Sequence, residues 1–446
     1  MHATASSQWS AGAPISLRRV DQLPAHTLGK PPSPAARSAL DLSFGDPDMS
    51  PPLVAADTLA IAACRPGNQH YAPDAGSEQA RYAFAGWYLD RFAVDLDPDN
   101  EVVVTVGAKQ ALTQLLTITV AAGDTVVVPA PSYPSHRFAP VVAGAHVVQV
   151  PIGSTGSPGG LHGFLGRLER ACEQTRPRVV VLSFPHNPTG ATIDPAGWRR
   201  LVALARRLRF LIIHDFTYAD ITFDGFRAPS VLAVPGGHDV AVEIYSLTKS
   251  FSMSGWRMAF AVGNRAILAG LLRLKQQQDH GVFLPIQHAA AAVLGRARSY
   301  PDSVAAIYQE RRDVTCQALA RAGWQVTPPA GTMFVWAPIP APYRVMGSAA
   351  FSDYLTARCG VATAPGDQFG PGGDGHVRFA LVAAQNMLRT LAARLAPLDL
   401  HRRQQAAGLP AEPGTSPRTV LPARSTRPPT RRSLSVSATT KKETDE

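Results

Sequence analysis

Short, continuous runs of Val, Ile and Leu alternate with longer amphipathic segments over the first 280 residues. The strand-like runs, which are short and rich in β-branched residues, lie at 101–106, 125–128, 145–150, 178–184, 210–213 and 241–247. The segments with helical spacing lie at 54–63, 79–91 and 198–208, with a further long one after Gly107. Strands that are apolar throughout and are separated by helices form a mostly parallel sheet covered on both faces. The pattern therefore predicts an α/β fold.

The pattern changes after Val262. Helices are predicted at 265–278, 287–294, 303–322 and 386–395, and strands at 333–339, 360–364 and 376–382. This mixture predicts a smaller α+β domain after the parallel sheet. We predict a flexible arm at 1–39, a large domain at 40–280 whose first residues also contribute to the small domain, a small domain at 281–398 and a tail at 399–446.

Composition supports a folded body with a basic tail. The chain has 446 residues, of which 45% are hydrophobic and 17% charged. Residues 401–446 contain nine Lys and Arg but four acids, so half of the net charge of +10 lies there. That segment is rich in Pro, Ser and Thr, which predicts disorder. The remaining body is only mildly basic, and we therefore expect no binding of nucleic acid.

Cysteine usage and the absence of long apolar stretches point to the cytoplasm. The four cysteines, Cys64, Cys172, Cys316 and Cys359, show neither a disulfide framework nor metal-ligand spacing, so we expect no metal site. Residues 1–16 lack the pattern of a signal peptide. No stretch reaches the ~18 apolar residues of a membrane span, so we expect no membrane association.

Polar residues follow the ends of several predicted strands. Lys109, Asn187, Asp215 and Lys249 each lie just beyond an apolar run. Ligands of parallel sheets bind at the carboxyl ends of strands, so this placement predicts a shared site. Gly107 lies between a strand and a helix, a geometry in which free backbone N–H groups and the helix dipole bind phosphate.

Lys249 is the most informative of these residues. It follows the apolar run 240–247 and precedes Ser250, Ser252, Ser254 and Gly255. A buried ammonium is unfavourable without a partner, so a lysine here indicates either chemistry or exposure. One hypothesis is a Schiff-base lysine that holds an aldehyde cofactor, with the Ser residues and Arg257 around its phosphate. The other is an exposed lysine in a flexible loop.

The remaining candidates also allow two interpretations. Asp215 suits a partner for a protonated ring nitrogen, or an ordinary turn aspartate. Tyr218 and Asn187 suit hydrogen bonding to a ring oxygen, although Asn before Pro is also common in turns. Tyr133 suits stacking on a planar ring, or burial within its loop.

Arg378 lies inside the apolar strand-like segment 376–381. Its guanidinium cannot become neutral and therefore needs an anion. A bidentate clamp on a substrate carboxylate and an internal salt bridge are the two hypotheses for it.

Together these motifs resemble the fold-type I, class I/II aminotransferases that use pyridoxal 5′-phosphate (PLP). The resemblance covers residues 40–396 and rests on Asn187-Pro188-Thr189-Gly190, Asp215 with Tyr218, Ser246 with Lys249, Gly255-Trp256-Arg257, and Arg378. It is greatest to bacterial glutamate–pyruvate (alanine) aminotransferases and then to LL-diaminopimelate aminotransferases. It implies a large domain with a seven-stranded, mostly parallel sheet between helices, and a smaller α+β domain.

The resemblance implies specific roles at the cofactor ring. Lys249 would form the Schiff base and move a proton between substrate Cα and cofactor C4′. Asp215 would keep the ring nitrogen charged, Asn187 and Tyr218 would hydrogen-bond the ring hydroxyl, and Tyr133 would stack on the ring. The expected reaction is a ping-pong transfer of an amino group from an L-amino acid to a 2-oxo acid.

The resemblance also implies how phosphate and substrate are held. The phosphate ligands would be Ala108, Lys109, Ser246 and Arg257. Tyr71 would reach the phosphate of a partner subunit, which implies a homodimer with shared active sites. Gly45, Asn187 and Arg378 would hold the substrate carboxylate.

Several segments depart from the family pattern. Residues 17–39 lack the aromatic segment that usually covers the site, and 281–285 reads Gly-Val-Phe-Leu-Pro where relatives have two threonines. The stretch 76–81 also differs. A PLP-dependent lyase or β/γ-replacement enzyme is therefore an alternative, because the same scaffold supports several outcomes. A cofactor-binding regulator is disfavoured, because the arm before Leu40 is too short and Pro-rich for a DNA-binding module.

Overall fold

A computed structural model of the chain describes residues 39–153 and 160–406. Contacts group the described residues up to Arg403 into one compact unit. The strands are β1 (Leu40–Leu42), β2 (Val102–Thr105), β3 (Thr125–Ala130), β4 (His146–Pro151), β5 (Val179–Leu182), β6 (Leu211–Asp215), β7 (Ala241–Ser246), β8 (Ala259–Gly263), β9 (Phe334–Pro338), β10 (Val361–Pro365) and β11 (His376–Ala380).

The helices fall mainly between these strands. The α-helices are α1 (Leu53–Ala63), α2 (Glu78–Phe92), α3 (Gly107–Thr119), α4 (Pro134–Val142), α5 (Gly160–Thr175), α6 (Pro195–Leu208), α7 (Gly237–Val240), α8 (Leu247–Ser250), α9 (Arg265–Gln278), α10 (Leu284–Arg296), α11 (Tyr300–Arg321), α12 (Gly347–Tyr354), α13 (Gln385–Arg389), α14 (Leu391–Leu395) and α15 (Leu400–Ala406).

Seven strands form the large sheet in the order β2-β8-β7-β6-β5-β3-β4. Every pairing is parallel except those of β8, which runs antiparallel to both β2 and β7. The predicted mostly parallel α/β sheet is therefore confirmed. The apolar runs did not identify β8, because its five residues follow directly on the polar segment that ends at Arg257.

Both faces of this sheet are buried. Alternate residues of each strand point to opposite faces, so Val180 and Leu182 pack with α2, α5 and α6 whereas Val179 and Val181 pack with α3 and α9. This double burial explains why the strands are apolar at nearly every position.

A second sheet has the order β1-β10-β11-β9, in which β1 pairs parallel with β10 and the other pairings are antiparallel. Its apolar face packs against α11, α13 and α14. Residues near Leu40 form β1 of this sheet. The domain boundary at 280/281 stays a prediction; α10, just beyond it, packs on α1 and α2 beside the large sheet.

The C-terminal region differs from the prediction in two places. The single helix expected at 386–395 is two helices, because the backbone bends at Thr390, whose Oγ1 donates to the Met387 carbonyl at 2.7 Å. The tail predicted from 399 begins as α15, and Leu400 is buried. Residues 407–446 and the arm at 1–38 lie outside the described residues. Within the described ranges, no helix combines the length and apolar character needed to cross a bilayer.

Candidate active site

One cavity of about 630 Å³ lies at the carboxyl ends of the parallel strands. Its walls include every site residue predicted from the sequence except Tyr71. The predicted residues that line it are Gly45, Ala108, Lys109, Tyr133, Asn187, Asp215, Tyr218, Ser246, Lys249, Arg257 and Arg378. The topology thus brings together residues that are up to 333 positions apart in the chain.

Lys249 enters the cavity from α8, the single helical turn that follows β7. The side chain of Ser246 caps this turn by accepting a hydrogen bond from the Thr248 N–H at 3.2 Å. Lys249 Nζ donates to the Gly45 carbonyl oxygen at 2.6 Å. Burial lowers the pKa of Lys249 to about 8, with the charges of Arg378 and Arg257 acting in the same direction and Asp46 opposing them. The interpretation as an exposed loop lysine is therefore wrong.

Asp215 lies at the end of β6 and faces the same cavity. Its Oδ2 is 2.8 Å from His136 Nε2, and its Oδ1 accepts from the Thr217 N–H at 3.2 Å. Burial raises the pKa of Asp215, but His136 and the Thr217 hydrogen bonds outweigh burial and hold that pKa below its ordinary value. The carboxylate is thus kept ionised in a setting where an isolated one would tend to be protonated.

Arg378 projects from β11 with 3% of its surface exposed. Nη1 donates to Asn187 Oδ1 and Nη2 to the Ser43 carbonyl oxygen, each at 3.0 Å, while Nε is buried without a partner. The guanidinium lies over the ring of Phe334 at 3.9 Å. Burial lowers the pKa of Arg378 to about 10.

Arg378 has no carboxylate within 4.0 Å among the residues that the structure describes. The internal salt bridge considered for it is therefore not observed. A buried cation with a spare donor suits an anionic ligand, because such a group is costly to leave uncompensated.

Asn187 and Tyr218 complete this side of the cavity. Both are buried, and the Tyr218 ring meets the edge of Phe334 with a centroid separation of 5.7 Å. Burial raises the pKa of the Tyr218 phenol well above its ordinary value, so the hydroxyl keeps its proton as a donor.

A second group of residues forms an anion seat at the start of α3. Ala108 and Lys109 belong to its first turn, where backbone N–H groups lack helical acceptors. Gly107 adopts φ +74°, and a Cβ there would lie 2.2 Å from Arg257 Nη2. The positive φ favours glycine, and the absence of a Cβ leaves room for the guanidinium of Arg257 against the helix N-terminus.

Of the two predicted aromatic residues, Tyr133 lies in the cavity and Tyr71 lies outside it. Tyr133 lines the cavity, 5.6 Å from Lys109 Nζ and edge-on to His136. Tyr71 is 81% exposed and instead packs on His280, with ring centroids 4.3 Å apart. Tyr71 therefore does not belong to the cavity of its own chain.

The sequence analysis missed His136, Thr217 and Phe334. Thr217 lies two residues after Asp215, so its hydroxyl was recognisable as a local partner. His136 is 79 residues from Asp215, and no spacing rule connects them. Phe334 lies in an apolar strand-like segment, and the sequence pattern gives no sign that it differs from a core residue.

Comparisons with known proteins identify the family of the chain. Residues 37–395 match the family model described as aminotransferase class I and II. The glutamate–pyruvate aminotransferase AlaC of Escherichia coli is 42% identical over 354 residues, which cover 78% of this chain and 84% of that protein. LL-diaminopimelate aminotransferase 2 of a Nostoc species is 34% identical, over 80% of this chain and 90% of that protein.

Solved structures show the same fold. Apo-BacF from Bacillus subtilis superposes with a TM-score of 0.78 at 31% identity, covering 87% of this chain and 99% of that structure. N-succinyldiaminopimelate aminotransferase from Mycobacterium tuberculosis also gives 0.78, at 29% identity, with 86% and 100% covered. The chain belongs to the class I and II aminotransferases, fold-type I enzymes that transfer amino groups with the help of PLP.

The cavity fits PLP on two observations. Its anion seat joins a helix N-terminus to Arg257, as a phosphate requires, and the ion pairs of the described residues do not occupy Lys109 or Arg257. Asp215 is oriented by His136 and Thr217 and still lines the cavity, as a partner for a protonated ring nitrogen should be.

Proposed function

We propose that this aminotransferase uses the residues lining its cavity to move an amino group between an L-amino acid and a 2-oxo acid. The observation that carries the proposal is the pairing, in one cavity, of the amine of Lys249 with a buried guanidinium, Arg378, that lacks a carboxylate among the described residues. Any α-amino acid or 2-oxo acid bound with its carboxylate at Arg378 brings its Cα close to the lysine side of the cavity.

We assign the protein's part of the chemistry as follows. PLP, when bound, supplies an aldehyde carbon that joins the amine and a ring that withdraws electrons from the bonds at Cα. Lys249 Nζ, whose pKa lies near 8, removes a proton at Cα and returns one in the second half-reaction. Asp215 holds a positive charge on the ring nitrogen, and Tyr218 and Asn187 donate to the ring oxygen.

The remaining residues bind and orient. Ala108, Lys109, Ser246 and Arg257 hold the phosphate, and Tyr133 covers the ring. Arg378, Asn187 and the backbone at Gly45 hold the substrate carboxylate, with Arg378 Nε as the donor still available for it.

We also propose a homodimer in which Tyr71 completes the partner's phosphate seat. Its support is the exposure of several large apolar side chains: Leu53 and Tyr71 are each 81% exposed, Ile61 is 60% exposed and Phe283 45%. We place the enzyme in the cytoplasm, since all four cysteines are free thiols and three of them are buried.

The test is a pair of separate half-reactions. The chain, reconstituted with PLP, is mixed with one amino acid at a time, beginning with glutamate, alanine and LL-diaminopimelate. We expect the band at about 420 nm to be replaced by one at about 330 nm, and to return when pyruvate or 2-oxoglutarate is added. Lys249→Ala should show neither change. Release of ammonia from the amino acid without any acceptor would contradict transamination and indicate elimination.

A further inference from the structure

Glu243 is a fully buried carboxylate on β7 that has no role in the chemistry above. Its Oε1 accepts from the Val231 N–H at 2.8 Å and lies 2.8 Å from His214 Nδ1. Its Oε2 accepts from Ser230 Oγ at 2.5 Å and Tyr88 Oη at 3.1 Å. In the described part of the chain no Lys or Arg lies within 4.0 Å of it. A buried charge of this kind is stable only because its donors are complete.

His214 connects Glu243 to the next strand. Because an ionised carboxylate only accepts, Nδ1 of His214 donates to Glu243. Nε2 lies 3.2 Å from both the N–H and the carbonyl oxygen of Phe184, so the ring contacts the Phe184 backbone whichever proton Nε2 carries. The last residue pair of the β5–β6 ladder is Leu182 with His214, so the ladder does not reach Phe184. The His214 imidazole lies against the Phe184 backbone instead. Trp198 and Phe216 pack on the ring, with centroids 4.6 and 4.7 Å away, and restrict its rotation.

The resulting bridge crosses three neighbouring strands just before their functional ends. β7 leads to Lys249, β6 ends at Asp215, and the segment after β5 leads through Phe184 to Asn187. Glu243 and His214 lie on the face of the sheet opposite to Asp215, because side chains alternate along a strand. They do not line the cavity.

We propose that Glu243 and His214 are positioning residues, forming a buried bridge that fixes the spacing of Lys249, Asp215 and Asn187 from behind the sheet. An apolar pair would fill the same volume without desolvating a carboxylate, so the polar bridge must contribute orientation rather than stability alone. This inference rests on the proposed function, because it concerns the same three residues.

The test compares Glu243→Gln and His214→Gln with Tyr88→Phe as the matched control. Tyr88→Phe removes a donor from Oε2 but leaves the contacts of His214 and Phe184 in place. All three variants should lower Tm. Only the two bridge variants should also reduce kcat by about tenfold, the scale seen when residues that orient a functional ligand are lost. They should in addition shift the pH midpoint of the visible absorbance band, whereas Tyr88→Phe should not.

A second measurement uses the protein without PLP. In the apo-protein, ¹⁵N NMR of labelled histidine should show His214 protonated at Nδ1, and Glu243→Gln should change that signal. The inference is overturned if the bridge variants match Tyr88→Phe in kcat and band midpoint, or if Nδ1 of His214 carries no proton. If the unmodified enzyme itself fails to transaminate, it is the proposed function that fails instead.

Discussion

At the scale of single residues, Arg378 is the group whose replacement is most informative. Arg378→Leu should raise KM for amino acids and 2-oxo acids by about a hundredfold or more, since losing one partner of a buried charge pair costs about 3–5 kcal/mol. Steady-state kinetics with several donors would measure this. The matched control is Arg312→Leu, because Arg312 is equally buried but is paired with Asp224. An unchanged KM in Arg378→Leu would exclude the carboxylate clamp.

The pKa of Lys249 gives a second expectation at this scale. Only the neutral amine attacks an aldehyde, and burial lowers the pKa of Lys249 to about 8. The rate at which apo-protein gains its visible band with PLP should therefore rise between pH 7 and 9 and level off above that. Stopped-flow absorbance would follow it. A rate still rising steeply near pH 10 would mean that the amine keeps the ordinary pKa of an exposed lysine.

His136 sets the ionisation of Asp215. His136→Ala removes the largest of the contacts that oppose burial and leaves those of Thr217, so the pKa of Asp215 should rise. Ionised Asp215 stabilises the folded protein at any pH above the pKa that its carboxyl has in the unfolded chain. This stabilisation is lost as the pH falls through the lower pKa that the carboxyl has in the folded protein. The acid limb of kcat, and acid unfolding with it, should move to higher pH in the variant. His146→Ala, at an exposed position, is the control and should leave both unchanged.

Residue chemistry was partly predictable. Lys249, Asp215 and Asn187 could be predicted because each is a charged or amide residue just beyond an apolar run, and the carboxyl ends of parallel strands are where ligands bind. His136 could not, because its partner is remote in sequence and a histidine in an amphipathic helix has no signature. The two hypotheses for Arg378, an internal salt bridge and a clamp for a ligand carboxylate, could be separated only with the structure. They differ in whether a carboxylate of the protein lies next to the guanidinium.

At the scale of elements, the turn from β2 into α3 is the most constrained feature. Gly107→Ala would place a Cβ 2.2 Å from Arg257 Nη2 and force a positive φ on alanine. The strain should lower Tm, and displacement of Arg257 should weaken PLP binding by at least about tenfold, because a hydrogen bond to a charged group contributes about 1.5–3 kcal/mol. Equilibrium titration of the apo-protein measures this. Gly86→Ala, inside α2 where a Cβ meets nothing within 4 Å, should keep the PLP affinity and leave stability equal or higher.

Elements were predictable where their burial is uniform. Continuous apolar runs located the parallel strands within one or two residues, because burial on both faces leaves few polar positions. The break between α13 and α14 was hidden, since Leu388, Leu391 and Leu395 continue a helical spacing across it. β8 was not predicted for a different reason: its apolar run is short and begins close after residues of the site.

At the scale of the whole molecule, the proposed dimer makes a quantitative prediction. Lys249→Ala and Tyr71→Ala should each be inactive or nearly so as homodimers. If Tyr71 serves the partner's site, a mixed dimer contains one site with both defects and one intact site. Mixing and reannealing the two variants should then restore up to about a quarter of wild-type activity, because half of randomly paired dimers are mixed and each has one working site of two. No recovery in confirmed mixed dimers would mean that sites are not shared.

The α/β topology followed from the order of strand-like and helix-like segments, because parallel strands require intervening helices. The pairing of β1 with β10, more than 300 residues apart, did not follow from any local pattern. Such pairings depend on the assembled core, in which Leu40 and Leu42 join the apolar residues of β10 and β11.

Arg311, on α11, joins the substrate side of the cavity to the sheet behind it. It holds both oxygens of Asp48, at 2.6 and 2.9 Å, and donates to the Leu381 carbonyl just past β11. The loop with Gly45 and the strand with Arg378 are thereby fastened together before any amino acid arrives. Fixing this loop in advance reduces the ordering cost of binding an amino acid beside it. If Arg378 holds the carboxylate common to all amino acids, as proposed, selectivity must be decided where their side chains differ.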